Sequence, residues 1–168
     1  MLRRVQSLLK KAPFERRDND LNEIVRESIE LLSSLASSRE VNLSSEIVSG
    51  ELRFKGDRVQ LQQVVINLIV NAIDAVSVVS CAKRKITIIT MRVENFAEVA
   101  VSDTGPGIPI SNADVVFQPF FTTKPQGMGI GLYIARTITE AHGGRIWTKN
   151  QIGGGAVFHI RLPCSNTA

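Results

Sequence analysis

From Arg58 to Val79 the chain is almost unbroken valine, leucine, isoleucine and alanine, and the polar residues that interrupt it are not scattered. On a helix, at about 100° per residue, Gln60, Gln63, Asn67, Asn71 and Asp74 fall in one narrow stripe, spaced 3, 4, 4 and 3. Asp57 stands where it can cap the first turn. A helix face turned to water would carry lysine and glutamate. A stripe of amides with a single carboxylate suits the wall of a cavity, because a buried amide without partners costs roughly 1–3 kcal/mol. Two rewards would explain Asn67 and Asn71: tying down neighbouring loops, or binding a hard cation such as Mg²⁺, which takes one or two protein oxygens and keeps its waters or phosphates.

The remaining pattern alternates helical and strand periods. Pro13 closes a first helical stretch, MLRRVQSLLKKA, and the polar FERRDND reads as a linker. Asp20 and Glu23 have the D-x-x-E form of a capping box, which opens a helix through about Ser38. VNLSSEI and LRF read as short strands, and KITIITMRV and EVAVSD as a hairpin. A long irregular segment, DTGPGIPISNADVVFQPFFTTKPQGMGIG, holds four of the six prolines. A helix from about Ile130 to Ala141 follows and ends at His142-Gly143-Gly144. RIWTKN and AVFHIRLP close the chain as two strands around Gly153-Gly154-Gly155. The class is α+β: a sheet with antiparallel pairs, covered by helices on one face.

Composition narrows this little. At 168 residues, 43% hydrophobic and 21% charged, the chain suits one globular domain. No apolar run approaches the ~20 residues that span a bilayer, and the N-terminus has no signal-peptide form. Two cysteines without a metal-like cluster imply a reducing cytoplasm. The net charge of +4 favours anionic partners weakly, but no Lys/Arg run with interleaved aromatics points to nucleic acid.

Two further stretches carry candidate chemistry. Asp103-Thr104-Gly105-Pro106-Gly107-Ile108 follows a strand. A carboxylate there can accept from an exocyclic amine such as adenine's, and glycines beside it let backbone approach a flat ring. A capped turn explains the same residues. Gly127-Met128-Gly129-Ile130-Gly131-Leu132 feeds a helix N-terminus, where unpaired N–H groups and the helix dipole attract anions. It lacks the Gly-Lys-Ser/Thr ending of a P-loop and the βαβ surroundings of a dinucleotide site.

In their order, N-x-x-x-N on a helix, D-x-G-x-G, an aromatic segment, then G-x-G-x-G, these stretches are far more specific than any one alone. Residues from about 20 to 163 resemble the catalytic and ATP-binding domain of bacterial sensor histidine kinases. NLIVNAIDA is similar to the family's asparagine box and DTGPGIP to its first glycine box. FQPFFTTKPQGMGIGLYIARTITEAHGGRI is similar to its phenylalanine and second glycine boxes, and FFTTK resembles the subgroup of nitrogen- and oxygen-regulation sensors. The resemblance implies the two-layer α/β sandwich of the GHKL ATPases, with a mixed sheet, and ATP and Mg²⁺ as ligands. It makes Asn71 the Mg²⁺ ligand and Asn67 a metal or phosphate contact. Asp103 would read the adenine amine above Gly105, Gly107 and Ile108. Gly127, Gly129 and Gly131 would cradle the triphosphate under a mobile lid spanning about 109–128, with Thr123, Ile130 and Leu132 as further nucleotide-binding residues. Lys124 is the candidate cation of that lid, a solvated loop lysine being the plain alternative.

The chain departs from the family pattern in places. Ala156 stands where a threonine or serine is common, which removes a polar contact near the base. Residues 1–19 resemble the end of a dimerisation-hairpin helix and its linker, leaving 20–168 as the catalytic domain, and the phosphoacceptor histidine would lie upstream. His142, at a helix end, and His159, on a strand, serve structure. In GHKL members that split ATP with water a glutamate base precedes the metal asparagine by one turn; Asn67 stands there and cannot take a proton. The resemblance therefore implies a protein-histidine kinase domain whose acceptor sits on a dimerisation domain. The fragment would be monomeric and cytoplasmic and its parent homodimeric, with membrane anchoring of the parent compatible with the sequence, acting on a response regulator without nucleic acid. A GHKL hydrolase or serine kinase, and a nucleotide sensor without transfer, are the competing functions.

Overall fold

The computed structural model describes residues 15–109, 113–122 and 129–165. Helix α1 (Leu21–Ser38) starts at Asp20, whose carboxylate accepts the N–H of Asn22 at 3.0 Å and that of Leu52 at 2.9 Å. Glu23 does not reach back to complete a capping box; it turns outward to Arg58, 3.5 Å away. Helix α2 (Arg58–Val76) starts at Asp57, whose carboxylate accepts the Gln60 N–H at 3.1 Å. Helix α3 (Gly131–Ala141) ends at His142 and Gly143, where the Gly144 N–H returns to the Thr139 carbonyl.

Strands β2 (Asn42–Glu46), β4 (Lys85–Val93), β5 (Phe96–Asp103), β6 (Arg145–Asn150) and β7 (Ala156–Pro163) form a sheet in the order β2-β4-β5-β7-β6. The β2–β4 pair is parallel and the others antiparallel, so the sheet is mixed. A two-stranded sheet pairs β1 (Arg17–Asp20) with β3 (Arg53–Gly56). The stretch read as a linker thus ends in a strand. Its side chains show no apolar alternation, because main-chain pairing to β3 holds it rather than a buried face.

Inward residues of the large sheet, among them Ile86, Ile88, Val99, Val101, Phe158 and Ile160, are buried against the helices. α1 packs on α2 and α2 on α3. By length and composition α2 qualifies as a membrane span, contrary to the expectation that no run does, but Leu61, Val64, Val65, Leu68, Ile69, Ala72, Ile73 and Val76 are its core side, each nearly inaccessible. The guanidinium of Arg84 donates to the carbonyls of Ser77, Val79 and Arg39, neutralising the C-terminal ends of α2 and α1 together.

On the opposite face of the sheet, Glu98 is almost fully buried beneath side chains. Arg161 donates to it at 2.8 Å and His159 Nδ1 lies 3.0 Å from it. The His159 ring stacks on Trp147 with centroids 4.8 Å apart. His159 therefore belongs to a surface ion and stacking cluster away from the glycine-rich segments.

Candidate functional site

The amide stripe of α2 is neither core nor open surface. Gln60, Gln63, Asn67, Asn71 and Asp74 are all half-buried, while Leu61, Val64, Val65, Leu68, Ile69, Ala72 and Ile73 between them are sealed. At one point its partner is direct: Asn67 Nδ2 donates to the carbonyl of Gly131 at 3.1 Å. That bond joins the asparagine stripe to the N-terminal turn of α3, where Gly131 and Leu132 lie, with Ile130 as N-cap. The turn has no side-chain cap, so its N–H groups are not claimed by a capping side chain.

Asp103 ends β5 and is 2% exposed. Its Oδ1 accepts the Gly105 N–H at 2.9 Å and, more weakly, the Ala156 N–H at 3.4 Å. Burial pushes its carboxyl above the usual range, and the two N–H donors oppose that shift. The Asp103–Ala156 contact shows that the absent threonine or serine leaves the main chain at 156 engaged with the carboxylate. Gly155 is required beside it: its φ is +90°, and a Cβ would stand 1.9 Å from the Asp103 carbonyl.

The loop after Asp103 closes on α2. A Cβ at Gly105 would come within 2.7 Å of the Ala75 carbonyl, so this turn lies directly on the C-terminal part of the stripe helix. Along α2, Ala75 is about 12 Å from Asn67. The site therefore has Asp103 and Gly105 at one end, Asn71 between, and Asn67 with Gly131 at the other. Gly107 and Ile108 are held by residues that no sequence pattern singles out. Asn150 Oδ1 accepts the Ile108 N–H at 2.7 Å and its Nδ2 donates to the Ile108 carbonyl. Next to it, Gln151 Nε2 donates to Ser102 Oγ at 2.7 Å and to the Asp103 carbonyl at 2.9 Å. The only available signal was two amides in succession at a strand end before a glycine turn.

Thr123, Lys124 and Gly127 lie outside the described residues. The described part of the expected lid is not loose throughout. Val116 and Phe117 are buried, and Phe117 meets Phe158 edge-on at 6.0 Å. The apolar run Val115-Val116-Phe117 winds one 3₁₀ turn into the core and so anchors the segment midway. Beyond it, the Phe120 N–H donates to the Gly129 carbonyl at 3.0 Å.

The sequence matches the family of histidine kinase-, DNA gyrase B- and HSP90-like ATPases over residues 56–166. The chain belongs to that family. Within it, the catalytic domain of histidine kinase ThkA, solved nucleotide-free, superposes with a TM-score of 0.78 at 37% identity, over 89% of this chain and 95% of that one. Among whole sensors, the sensor protein FixL of Bradyrhizobium diazoefficiens is 36% identical over 99% of this chain and 33% of its own length. The C4-dicarboxylate transport sensor DctS of Rhodobacter capsulatus is 34% identical over 97% of this chain and 25% of its own. The chain thus spans a third or less of these sensors. A further structure, of ThkA in complex with the response regulator TrrA, superposes with a TM-score of 0.81 at 31% identity, over 98% of this chain and 46% of that one. The α+β fold with its mixed sheet, the ATP-binding character and the histidine-kinase type of this catalytic domain all follow.

Proposed function

We propose that this domain holds Mg-ATP between α2 and α3 and presents its γ-phosphoryl group to a histidine on a dimerisation hairpin. The observation that carries the reading is the pairing of Asn67 with Gly131. One turn before Asn71, where a hydrolase would need a carboxylate to deprotonate water, stands an amide that instead donates to the start of α3. In this reading Asp103 accepts from the adenine amine, while Gly105, Gly107 and Ile108 floor the base. The N-terminal turn of α3, from Gly129 to Leu132, receives the phosphates, with Thr123, Lys124 and Gly127 as further contacts. The distance of about 12 Å along α2 from Ala75 to Asn67 suits an extended nucleoside triphosphate.

The donor set fits Mg²⁺. The Asn71 carboxamide offers a hard oxygen, Asn67 can offer a second, and among the described residues no group of three or more His, Cys, Asp or Glu forms a cage. An ion held by one or two protein oxygens plus phosphates is the arrangement Mg²⁺ prefers. When bound, it would supply charge neutralisation on the phosphates; the chain's own residues orient them.

Neither described histidine suits the role of acceptor. His142 is 7% exposed with both ring nitrogens engaged, and His159 is tied to Glu98 and stacked on Trp147. The acceptor would come from a dimerisation domain in a homodimeric cytoplasmic kinase, with residues 1–19 leading into the catalytic unit from 20 to 168. A response regulator would receive the phosphoryl group, as suggested by the complex recorded for ThkA, and nucleic acid has no part. The catalytic domain by itself would be a monomer. The test is γ-labelled ATP offered to this chain with and without a histidine-bearing hairpin. Acid-labile, base-stable label on the hairpin supports the proposal; label on this chain alone, or steady phosphate release, overturns it.

A further inference from the structure

α3 is fastened to α2 at both of its ends, and the second fastening is a histidine. His142, the C-cap residue of α3, places Nδ1 2.7 Å from the Ile138 carbonyl of its own helix. A carbonyl can only accept, so Nδ1 carries the proton and Nε2 presents its lone pair. That lone pair accepts the N–H of Asp57, the N-cap of α2, at 3.0 Å. The ring lies flush on the preceding residue: a Cβ at Gly56 would come within 2.4 Å of His142 Cδ2. At the other end of α3, the Gly131 carbonyl accepts from Asn67.

The two fastenings match in length. Asp57 to Asn67 is ten residues, about 15 Å of helix, and Gly131 to His142 is eleven, about 16.5 Å. The two helices pack on each other between these joints, and a close-packed interior transmits strain, so a shift at one joint is passed to the other. We infer that His142 is a positioning residue of the nucleotide site: its neutral imidazole fixes the glycine-rich start of α3 against Asn67, and protonation at Nε2 undoes that placement. The inference rests on the reading of the α2–α3 cleft as the nucleotide site.

Protonation replaces an acceptor with a donor facing the Asp57 N–H, so the bond is lost and two donors oppose each other. Among the described residues, Asp57 and Arg16 bring charge to the ring. The Asp57 carboxylate favours its protonation, while Arg16 opposes it. Burial is the larger influence and keeps the ring neutral below its ordinary range. The device is therefore set at neutral pH and released on acidification.

His142→Gln keeps an acceptor at the place of Nε2 and cannot titrate, whereas His142→Leu removes the acceptor and keeps the bulk. In nucleotide-free protein, the Asn67 side-chain amide resonances should move with the midpoint of the His142 ring titration, and should stay still in His142→Gln over the same range. In calorimetry, ATP affinity of the wild type relative to His142→Gln should fall about fivefold on acidification, the equivalent of one neutral hydrogen bond. His142→Leu should bind about fivefold more weakly than wild type at neutral pH by the same reasoning. The ratio cancels the nucleotide's own protonation. Asn67 resonances indifferent to the His142 titration, or identical pH responses in wild type and His142→Gln, would overturn the inference. Coupled Asn67 resonances without ATP binding in any of the three proteins would overturn the nucleotide reading and leave the coupling of the two helices supported.

Discussion

The side chain of Asn150 pairs with both main-chain groups of Ile108, as a neighbouring strand would. It thereby holds the loop that begins at Asp103 and runs over Gly105 and Gly107. Asn150→Ala removes both bonds while leaving β6 paired to β7 through the main chain. ATP binding should weaken roughly five- to tenfold, since two neutral hydrogen bonds are worth about 1–3 kcal/mol and some of that is recovered by water. Calorimetry against wild type checks this, with circular dichroism to show an intact fold. Unchanged affinity would mean that Gln151 and the Gly105–Asp103 bond hold the loop without Asn150.

Asp103 should decide the choice of base. Its carboxylate is buried with Oδ1 engaged by Gly105 and Ala156. A ligand that offers an amine to this carboxylate gains an acceptor, whereas guanine's carbonyl would meet it acceptor to acceptor. GTP should therefore compete with ATP poorly, by several kcal/mol in line with buried polar groups left unpaired. Asp103→Asn should cost ATP binding about 1–3 kcal/mol. Competition titrations in which GTP displaces a bound ATP analogue as readily as ATP would show that Asp103 does not read the base.

What was legible in the sequence was whatever repeats with a period or carries turn chemistry. The half-buried stripe on α2 followed from steps of three and four, and the N-caps Asp20 and Asp57 from their place before apolar runs. Strands β4 and β5 followed from β-branched residues in alternation. What was hidden depends on contacts between distant residues. β1 has a polar sequence and exists because β3 lies beside it. Asn150 and His142 act on partners 42 and 85 residues away, and neither residue type announces its partner. The 3₁₀ anchor at Val115–Phe117 was masked by the prolines and glycines around it, which suggested looseness throughout.

Acid should weaken the fold through His142. Its folded-state pKa lies below the ordinary 6.5, chiefly through burial. The unfolded chain therefore binds this proton at higher pH than the folded one. The stability linked to His142 is fully present above the unfolded value and is lost as pH falls from there toward the folded value, with a slope of at most about 1.4 kcal/mol per pH unit for one proton. Thermal melting between neutral and mildly acidic pH should show this fall in wild type, and His142→Gln should flatten it. A melting profile unchanged by the substitution would show that another group carries the acid sensitivity.

The two glycines at the start of α3 should behave differently when replaced by alanine. Gly129 has φ +67°, and a Cβ there would stand 2.4 Å from the Phe121 carbonyl and 2.6 Å from the Phe120 carbonyl carbon. Gly129→Ala must strain the backbone and push the Phe120–Phe121 segment away, at a cost of order 1–3 kcal/mol. Gly131 is helical, and a Cβ there would meet nothing nearer than Asn67 Cγ at 3.9 Å. Gly131→Ala should fold at least as stably, since alanine in a helix is favoured over glycine by roughly 0.5–1 kcal/mol. Loss of ATP binding in Gly131→Ala, with the melting temperature kept or raised, would then report on phosphates approaching that turn directly. Full ATP binding in Gly131→Ala would move the phosphate contacts off α3 and toward residues 123–128.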